Sequence, residues 1–490
     1  MKTRLILLTI FMLLADARIH AAQAPNVLLI ITDEHNFRTL GCYRETLPRE
    51  QAEMWGFDAV VKTPHLDRIA GEGVLCTRAY ATSPVCSPCR AAMITGRYPH
   101  TAGVPANDRV LDQSIPTLAD RLNKAGYRST FIGKWHLGGT GKPEWAPKVD
   151  GGFQSTEYMF NRGHWKKFEV ADGKPRIAAR SKNGQPSYGV DNADPSTFST
   201  DWLTNRAIEF VTAKGVQKPF FAVVSYPDPH GPNTVRTPYD TQFDDLPFKA
   251  PRTYRANAPT PKWVGKVKRH PVFRGADMSK YFGMVKCLDD NIGRLLQRLQ
   301  AAGRLDNTLI IMTSDHGDLC YEHDRQNKGN PYEGSARVPM ILRLPGRIAP
   351  RQFYTQPMGT VDLTPTVMGL LRLPADKADQ GRDLSAALAD PSAIEGQKKT
   401  VTFLRNAGTT ANWVAAIDDR YKLILSVQDE PWLFDNEEDP DELENRLDRA
   451  ENHDVVRKLA MALKSYGRST KDPHLEADEI AQSLAKILKE

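Results

Sequence analysis

Asn26-Val27-Leu28-Leu29-Ile30-Ile31-Thr32-Asp33-Glu34 is an unbroken apolar run that stops at two carboxylates. A strand with one wet face alternates apolar and polar residues, whereas a strand buried on both faces reads as a continuous apolar run. The stretch therefore reads as a central strand with Asp33 and Glu34 at its carboxyl tip. Short runs of the same kind occur at 129–132, 220–224, 309–312 and 338–342. Amphipathic helical stretches lie between them at 117–125, 200–212 and 279–302. The last places Met284, Leu288, Ile292, Leu295, Leu296 and Leu299 on one face. Strand–helix alternation implies an α/β fold, with a mostly parallel central sheet flanked by helices.

Ligands in such folds collect at the carboxyl ends of the strands. The residues able to do chemistry stand there. Asp33 and Glu34 follow the first run, Lys134 and His136 the second, His230 the third, Asp315 and His316 the fourth. Two carboxylate-bearing pairs on neighbouring strand tips can hold a hard divalent cation. Residues 140–200 and 231–275, rich in Gly, Pro and basic side chains, read as excursions over that edge. After about residue 400 the pattern changes to short strands at 400–404, 413–418 and 421–426, then helices at 455–466 and 475–488. This predicts a large domain over 25–395 and a smaller C-terminal α+β subdomain over 396–490, with a short antiparallel sheet.

The chain has 490 residues and a formal net charge of +6. It has no Lys/Arg-dense block interleaved with aromatics, which argues against nucleic acid as a partner. Residues 1–22 combine Lys2 and Arg4, a short apolar run and small residues at 21, 22 and 24, the form of a secretory signal. The expected location is periplasmic or secreted, with no membrane span in the mature chain. Six cysteines in so long a chain do not make a disulfide framework.

Cys86-Ser87-Pro88-Cys89-Arg90 opens a short helical run that Gly96 ends. With Pro88 as the first helical residue, Cys86 lies just ahead of a helix N-terminus, where negative charge is favoured. The residues admit a buried structural thiol. They also admit a C-x-x-C redox pair of Cys86 and Cys89, and with it a thiol–disulfide oxidoreductase.

A third reading comes from likeness. CSPCRAAMITGRYP (86–99) resembles the signature of the type I sulfatases, whose first cysteine becomes formylglycine, although Cys89 stands where Ser or Ala is usual. NVLLIITDEH (26–35), GKWHLG (133–138), PDPHGP (227–232), LIIMTSDHG (309–317) and the lysine before Pro331-Tyr332-Glu333 resemble further elements of that family. The resemblance implies an alkaline-phosphatase-like fold and sulfate ester hydrolysis. It implies formylglycine at position 86, installed by a formylglycine-generating enzyme, with Arg90 fixing it. It implies a metal held by Asp33, Glu34, Asp315 and His316, with Ca2+ first and Mn2+ the alternative because His316 replaces the usual Asn. Lys134 and His136 are implied to contact the formylglycine, with His136 as base. His230 and Lys328 are implied to bind sulfate and serve the leaving group. Phosphate or phosphonate ester hydrolysis on the same scaffold is the alternative activity. Export and the segment Asn161-Arg162-Gly163-His164-Trp165 fit a sulfated carbohydrate, with His164 offering a contact to a hydroxyl and Trp165 either a ring to a sugar face or ordinary packing.

Overall fold

The computed structural model describes residues 24–265, 271–394 and 400–489. The expected signal at 1–22, the expected boundary at 395–396 and the basic stretch 266–270 lie outside the described residues. The central sheet has eight strands: β1 (Asn26–Asp33), β2 (Val74–Cys76), β3 (Arg128–Lys134), β4 (Met159–Phe160), β5 (Phe220–Pro229), β6 (Thr308–Ser314), β7 (Met340–Arg343) and β8 (Gln352–Tyr354). Their order is β8-β2-β7-β6-β1-β5-β3-β4. Strand β1 lies in the middle, parallel to β5 and to β6.

The unbroken apolar runs are explained by burial on both faces. Val27, Leu29, Ile31, Phe221, Val223, Leu309 and Ile311 face one core with Leu118 and Leu122. Leu28, Ile30, Ala222, Val224, Ile310 and Met312 face the other with Leu203, Leu288, Ile292 and Leu295. The helices on those faces are α1 (Cys86–Thr95), α2 (Leu118–Lys124), α3 (Ser199–Val211) and α4 (Gly275–Ala301). Thr117 and Asp120 close a capping box at the start of α2.

Strand β7 runs antiparallel to both neighbours. A parallel return needs a crossover, usually a helix, on a sheet face. The chain between β6 and β7 has only the one-turn helix Glu333–Ala336 and a short 3-10 turn, so β7 returns antiparallel. The C-terminal sheet is antiparallel, in the order β9 (Thr402–Arg405), β10 (Trp413–Ile417), β11 (Tyr421–Ser426), β12 (Trp432–Asp435). Helices α5 (His453–Thr470) and α6 (Asp478–Lys489) cover one face through Leu459, Leu463 and Ile480 against Leu423 and Leu425. Its other face packs Ile424 and Phe434 against Trp263 and Tyr332 of the large body. Among the described residues, no helix is long and apolar enough to cross a membrane.

Candidate active site

Parallel register brings the strand tips together. Asp33 pairs with Pro229 across β1 and β5, Thr32 with Ser314 across β1 and β6, and Gly133 with Ser225 across β3 and β5. Helix α1 points its first turn at that edge. It begins at Cys86 itself, with Val85 as N-cap, so Pro88 is the third helical residue and not the first. The first intrahelical bond runs from the Cys89 N–H to the Val85 carbonyl, so the N–H of the third position is not needed and proline is tolerated there. Gly96 ends the helix in the left-handed conformation, as expected (φ 70°).

Cys86 is buried with its Sγ 3.2 Å from His316 Nε2 and 3.8 Å from Lys134 Nζ. Burial disfavours a thiolate there, but Lys134, Lys328 and His316 outweigh it and hold the thiol well below its ordinary range. One turn on, Arg90 bridges the two metal-candidate aspartates. Its Nε donates to Asp315 Oδ2 at 2.8 Å and an Nη to Asp33 Oδ2 at 3.2 Å. Its other Nη donates to the Lys134 carbonyl and to Ser225 Oγ, locking the helix to β3 and β5.

Asp33, Cys86, Asp315 and His316 present donor atoms within 4.8 Å of one another, all buried. Burial opposes ionisation of Asp33, yet Lys134, hydrogen-bonded to it, and its other cationic neighbours hold it well below the carboxylate range. Burial also opposes charge on His316, but Asp315 draws its pKa up to about 9. A nitrogen set between two carboxylates and a thiol thus calls for a proton or a cation. Glu34 stands outside this set of four. Its carboxylate turns to Lys328 Nζ at 3.1 Å and His230 Nε2 at 3.0 Å. Both its oxygens are buried and lack a partner of hydrogen-bond geometry, and burial pushes it up to about 8. Hard oxygens with one imidazole fit a divalent cation.

A basic rim covers the other side. Lys134 Nζ donates to His164 Nε2 at 2.8 Å, and the His164 ring stacks on His230 with centroids 3.4 Å apart. His230 Nε2 lies 2.6 Å from Lys328 Nζ. Burial and Lys134 drive His164 down to about 3, while burial and Lys328 drive His230 far down as well, so both rings are neutral between two ammonium groups. His136 lies beside this rim with Nε2 3.2 Å from Asp108 Oδ1 and Nδ1 buried without a hydrogen-bond partner.

Every expected site residue is thus placed at one sheet edge. Of the two readings of Trp165, ordinary packing is the one observed. It is buried, its indole N–H donates to the Arg162 carbonyl, and it packs against Tyr188, so it offers no face to a sugar. Cys89 is also buried, with Sγ 3.2 Å from Thr360 Oγ1; burial pushes its thiol far up, and all six cysteines are free. That environment does not suit the redox pair.

Three supporting residues were missed. Asp108 contacts His136, Ser225 ties Arg90 to Lys134, and Lys166 donates to Asp228 Oδ1 (2.6 Å) and to the His230 carbonyl (2.9 Å). Only Lys166 had a signal, since it directly follows His164 and Trp165. The other two sit in strings that carry no chemistry alone.

Residues 25–373 match the family model described as Sulfatase, and residues 321–469 match that of the N-sulphoglucosamine sulphohydrolase C-terminal region. The chain is 28% identical over 478 residues to an uncharacterised sulfatase of Escherichia coli K12, covering 92% of this chain and 88% of the relative. It is 25% identical over 538 residues to an N-acetylglucosamine-6-O-sulfatase of Bacteroides thetaiotaomicron, covering 94% and 89%. A solved structure from a glycosaminoglycan-metabolism locus of Bacteroides thetaiotaomicron aligns with a TM-score of 0.75 at 23% identity, covering 94% of this chain and all of that one.

Proposed function

Because this chain belongs to the sulfatase family and is a sulfuric ester hydrolase, we propose that it removes sulfate from sulfated carbohydrates, using a formylglycine made from Cys86 and a divalent cation. The observation that carries the reading is the rim of Lys134, His164, His230 and Lys328 closed over Cys86. Four nitrogen-bearing side chains around one nucleophile position suit the crowded oxygens of a sulfuryl group.

Asp33, Asp315 and His316 would hold the cation, with Glu34 beside them. Calcium is the first assignment because carboxylates dominate, and manganese the alternative because of the imidazole. The cation supplies positive charge beside position 86, and the hydrated aldehyde supplies the oxygen nucleophile that a thiol lacks. Arg90 holds Asp33, Asp315 and the start of α1 in one rigid unit. Lys134 and Lys328 neutralise charge growing on the sulfuryl oxygens, and His164 orients Lys134. The His230–Lys328 pair, in hydrogen-bond contact, delivers a proton to the departing alcohol. At His136, a proton on Nε2 facing Asp108 leaves Nδ1 as the acceptor, which suits a base for the sulfate-release step.

Residues 1–22 support export to the periplasm or beyond. Cys86 and Arg90 are 2% and 3% exposed, which supports conversion of Cys86 by the formylglycine-generating enzyme before folding. The sugar assignment rests on the N-acetylglucosamine-6-O-sulfatase relative. The test pairs mass spectrometry of the peptide around residue 86 with a screen of sulfated mono- and oligosaccharides. The expected result is an aldehyde at position 86 and desulfated sugar formed in proportion to its content. Full turnover by protein carrying only the thiol would contradict the reading.

A further inference from the structure

Lys328 projects into the site from an irregular stretch between the 3-10 turn Glu322–Asp324 and the short helix Glu333–Ala336. Such a loop does not hold a side chain to the tolerance that catalysis needs, where a misplacement of about 1 Å can cost about 100-fold. The upstream side of this loop is anchored by Asp318, whose Oδ1 accepts the Asn327 N–H at 2.8 Å. The downstream side is anchored by the C-terminal sheet.

Lys422, the second residue of β11, is fully buried. Its alternation along the strand puts it on the face shared with Ile424, toward the large body. Its Nζ donates to three acceptors, each at 2.7 Å: the Pro331 carbonyl, Glu333 Oε1 and Glu442 Oε1. Glu442 Oε2 in turn accepts the Glu333 backbone N–H at 2.7 Å. Tyr80 and Arg337 complete the Glu333 carboxylate. Two apolar side chains would join these layers at least as firmly, because a buried ion pair loses hydration that its attraction barely offsets. What the charged cluster adds is direction. It fixes one carbonyl, one amide and one carboxylate of the segment next to Lys328.

We propose that Lys422, with Glu442, is a positioning residue for Lys328, so that the C-terminal sheet sets the sulfate-binding geometry of a site it does not itself line. The proposal rests on the sulfatase reading of Lys328, and its test has one arm that does not. In the kinetic arm, Lys422→Met lowers kcat/KM for an aryl sulfate about 10- to 100-fold, and Lys422→Arg, which keeps a buried cation and donors, recovers part of the loss. In a Lys328→Ala background the Lys422→Met change has little further effect, because the two act through one element. In the second arm, hydrogen–deuterium exchange of the peptide spanning 327–337 speeds up in Lys422→Met while the central strands keep their protection. Glu442→Gln conserves volume and serves both arms if the lysine variant does not fold.

Wild-type rates in the variants, or the same proportional loss with and without Lys328, overturn the positioning role. Unchanged exchange at 327–337 overturns the clamp itself. Faster exchange in a chain whose wild type turns over no sulfate ester would keep the clamp and discard the sulfatase reading.

Discussion

At the scale of the residue, Cys86 is surrounded by groups that a structural thiol has no use for. Lys134 and His316 touch it, and Arg90 bridges Asp33 and Asp315 beside it. Cys86→Ala is expected to lower sulfate ester turnover by about 10³-fold or more with little change in the melting temperature. Cys89→Ser, which keeps a hydroxyl for Thr360, is expected to leave turnover within a few-fold of wild type. Steady-state kinetics on the two variants checks both, and loss of activity in Cys89→Ser would restore the dithiol reading. The proposed site residues were legible because they occur in compact strings at the ends of apolar runs. Asp108, Ser225 and Lys166 were not legible. Their roles come from partners far away in sequence, and an isolated Asp, Ser or Lys looks the same whether it orients a histidine or faces water. The sequence left Trp165 open between a sugar face and ordinary packing, because Tyr188, which it packs against, lies far along the chain.

At the scale of the element, the sheet was legible from its runs, because burial on both faces removes the polar alternation that would otherwise mark strands. The direction of β7 was not. An apolar run carries no sign, and direction depends on whether the connection before it can cross a sheet face. The start of α1 was placed two residues late because proline is tolerated at several first-turn positions. Gly133, the last residue but one of β3, has φ 107°, and a Cβ there would lie 1.9 Å from the Ser225 carbonyl oxygen. Gly133→Ala is therefore expected to force β3 from β5 at the point that aims Lys134, lowering both the melting temperature and kcat. A variant with wild-type stability and rate would show that the strand tip has slack. At the start of α2, Thr117→Ala removes one side of the capping box and is expected to cost about 1 kcal/mol in denaturant titration, with unchanged kinetics.

At the scale of the whole molecule, two features join the parts. One is the acidic cluster at the strand tips, which gathers β1 and β6 around α1. A cation that binds only the folded chain stabilises it by mass action, about 2.7 kcal/mol at a hundred times its Kd. Treatment with a chelator is expected to lower the melting temperature and the activity together, and calcium or manganese to restore both. A melting temperature indifferent to chelator and to added ion would contradict the metal assignment.

The other feature is α4, a helix of 27 residues packed on the central sheet. Its Asp289 accepts the N–H groups of His65 and Leu66, and burial pushes its carboxyl up to about 7. With the folded pKa above the unfolded one, the folded state binds the extra proton. This contribution to stability is full below about pH 4 and is lost as pH rises through 7. Asp289→Asn keeps an acceptor and removes the titration. Its melting temperature relative to wild type is expected to improve between pH 5 and pH 8; a constant difference would contradict the assignment.

In the proposed function, the rim of Lys134, His164, His230 and Lys328 over position 86 serves a sulfuryl group. His316, an imidazole among the carboxylates of the proposed metal site, is the one residue that leans toward phosphoryl chemistry. The direct measurement is kcat/KM for an aryl sulfate against the matching aryl phosphate, on protein with converted Cys86 and bound metal. A clear preference for the sulfate, abolished in Cys86→Ala, is expected. A large preference for the phosphate would contradict it.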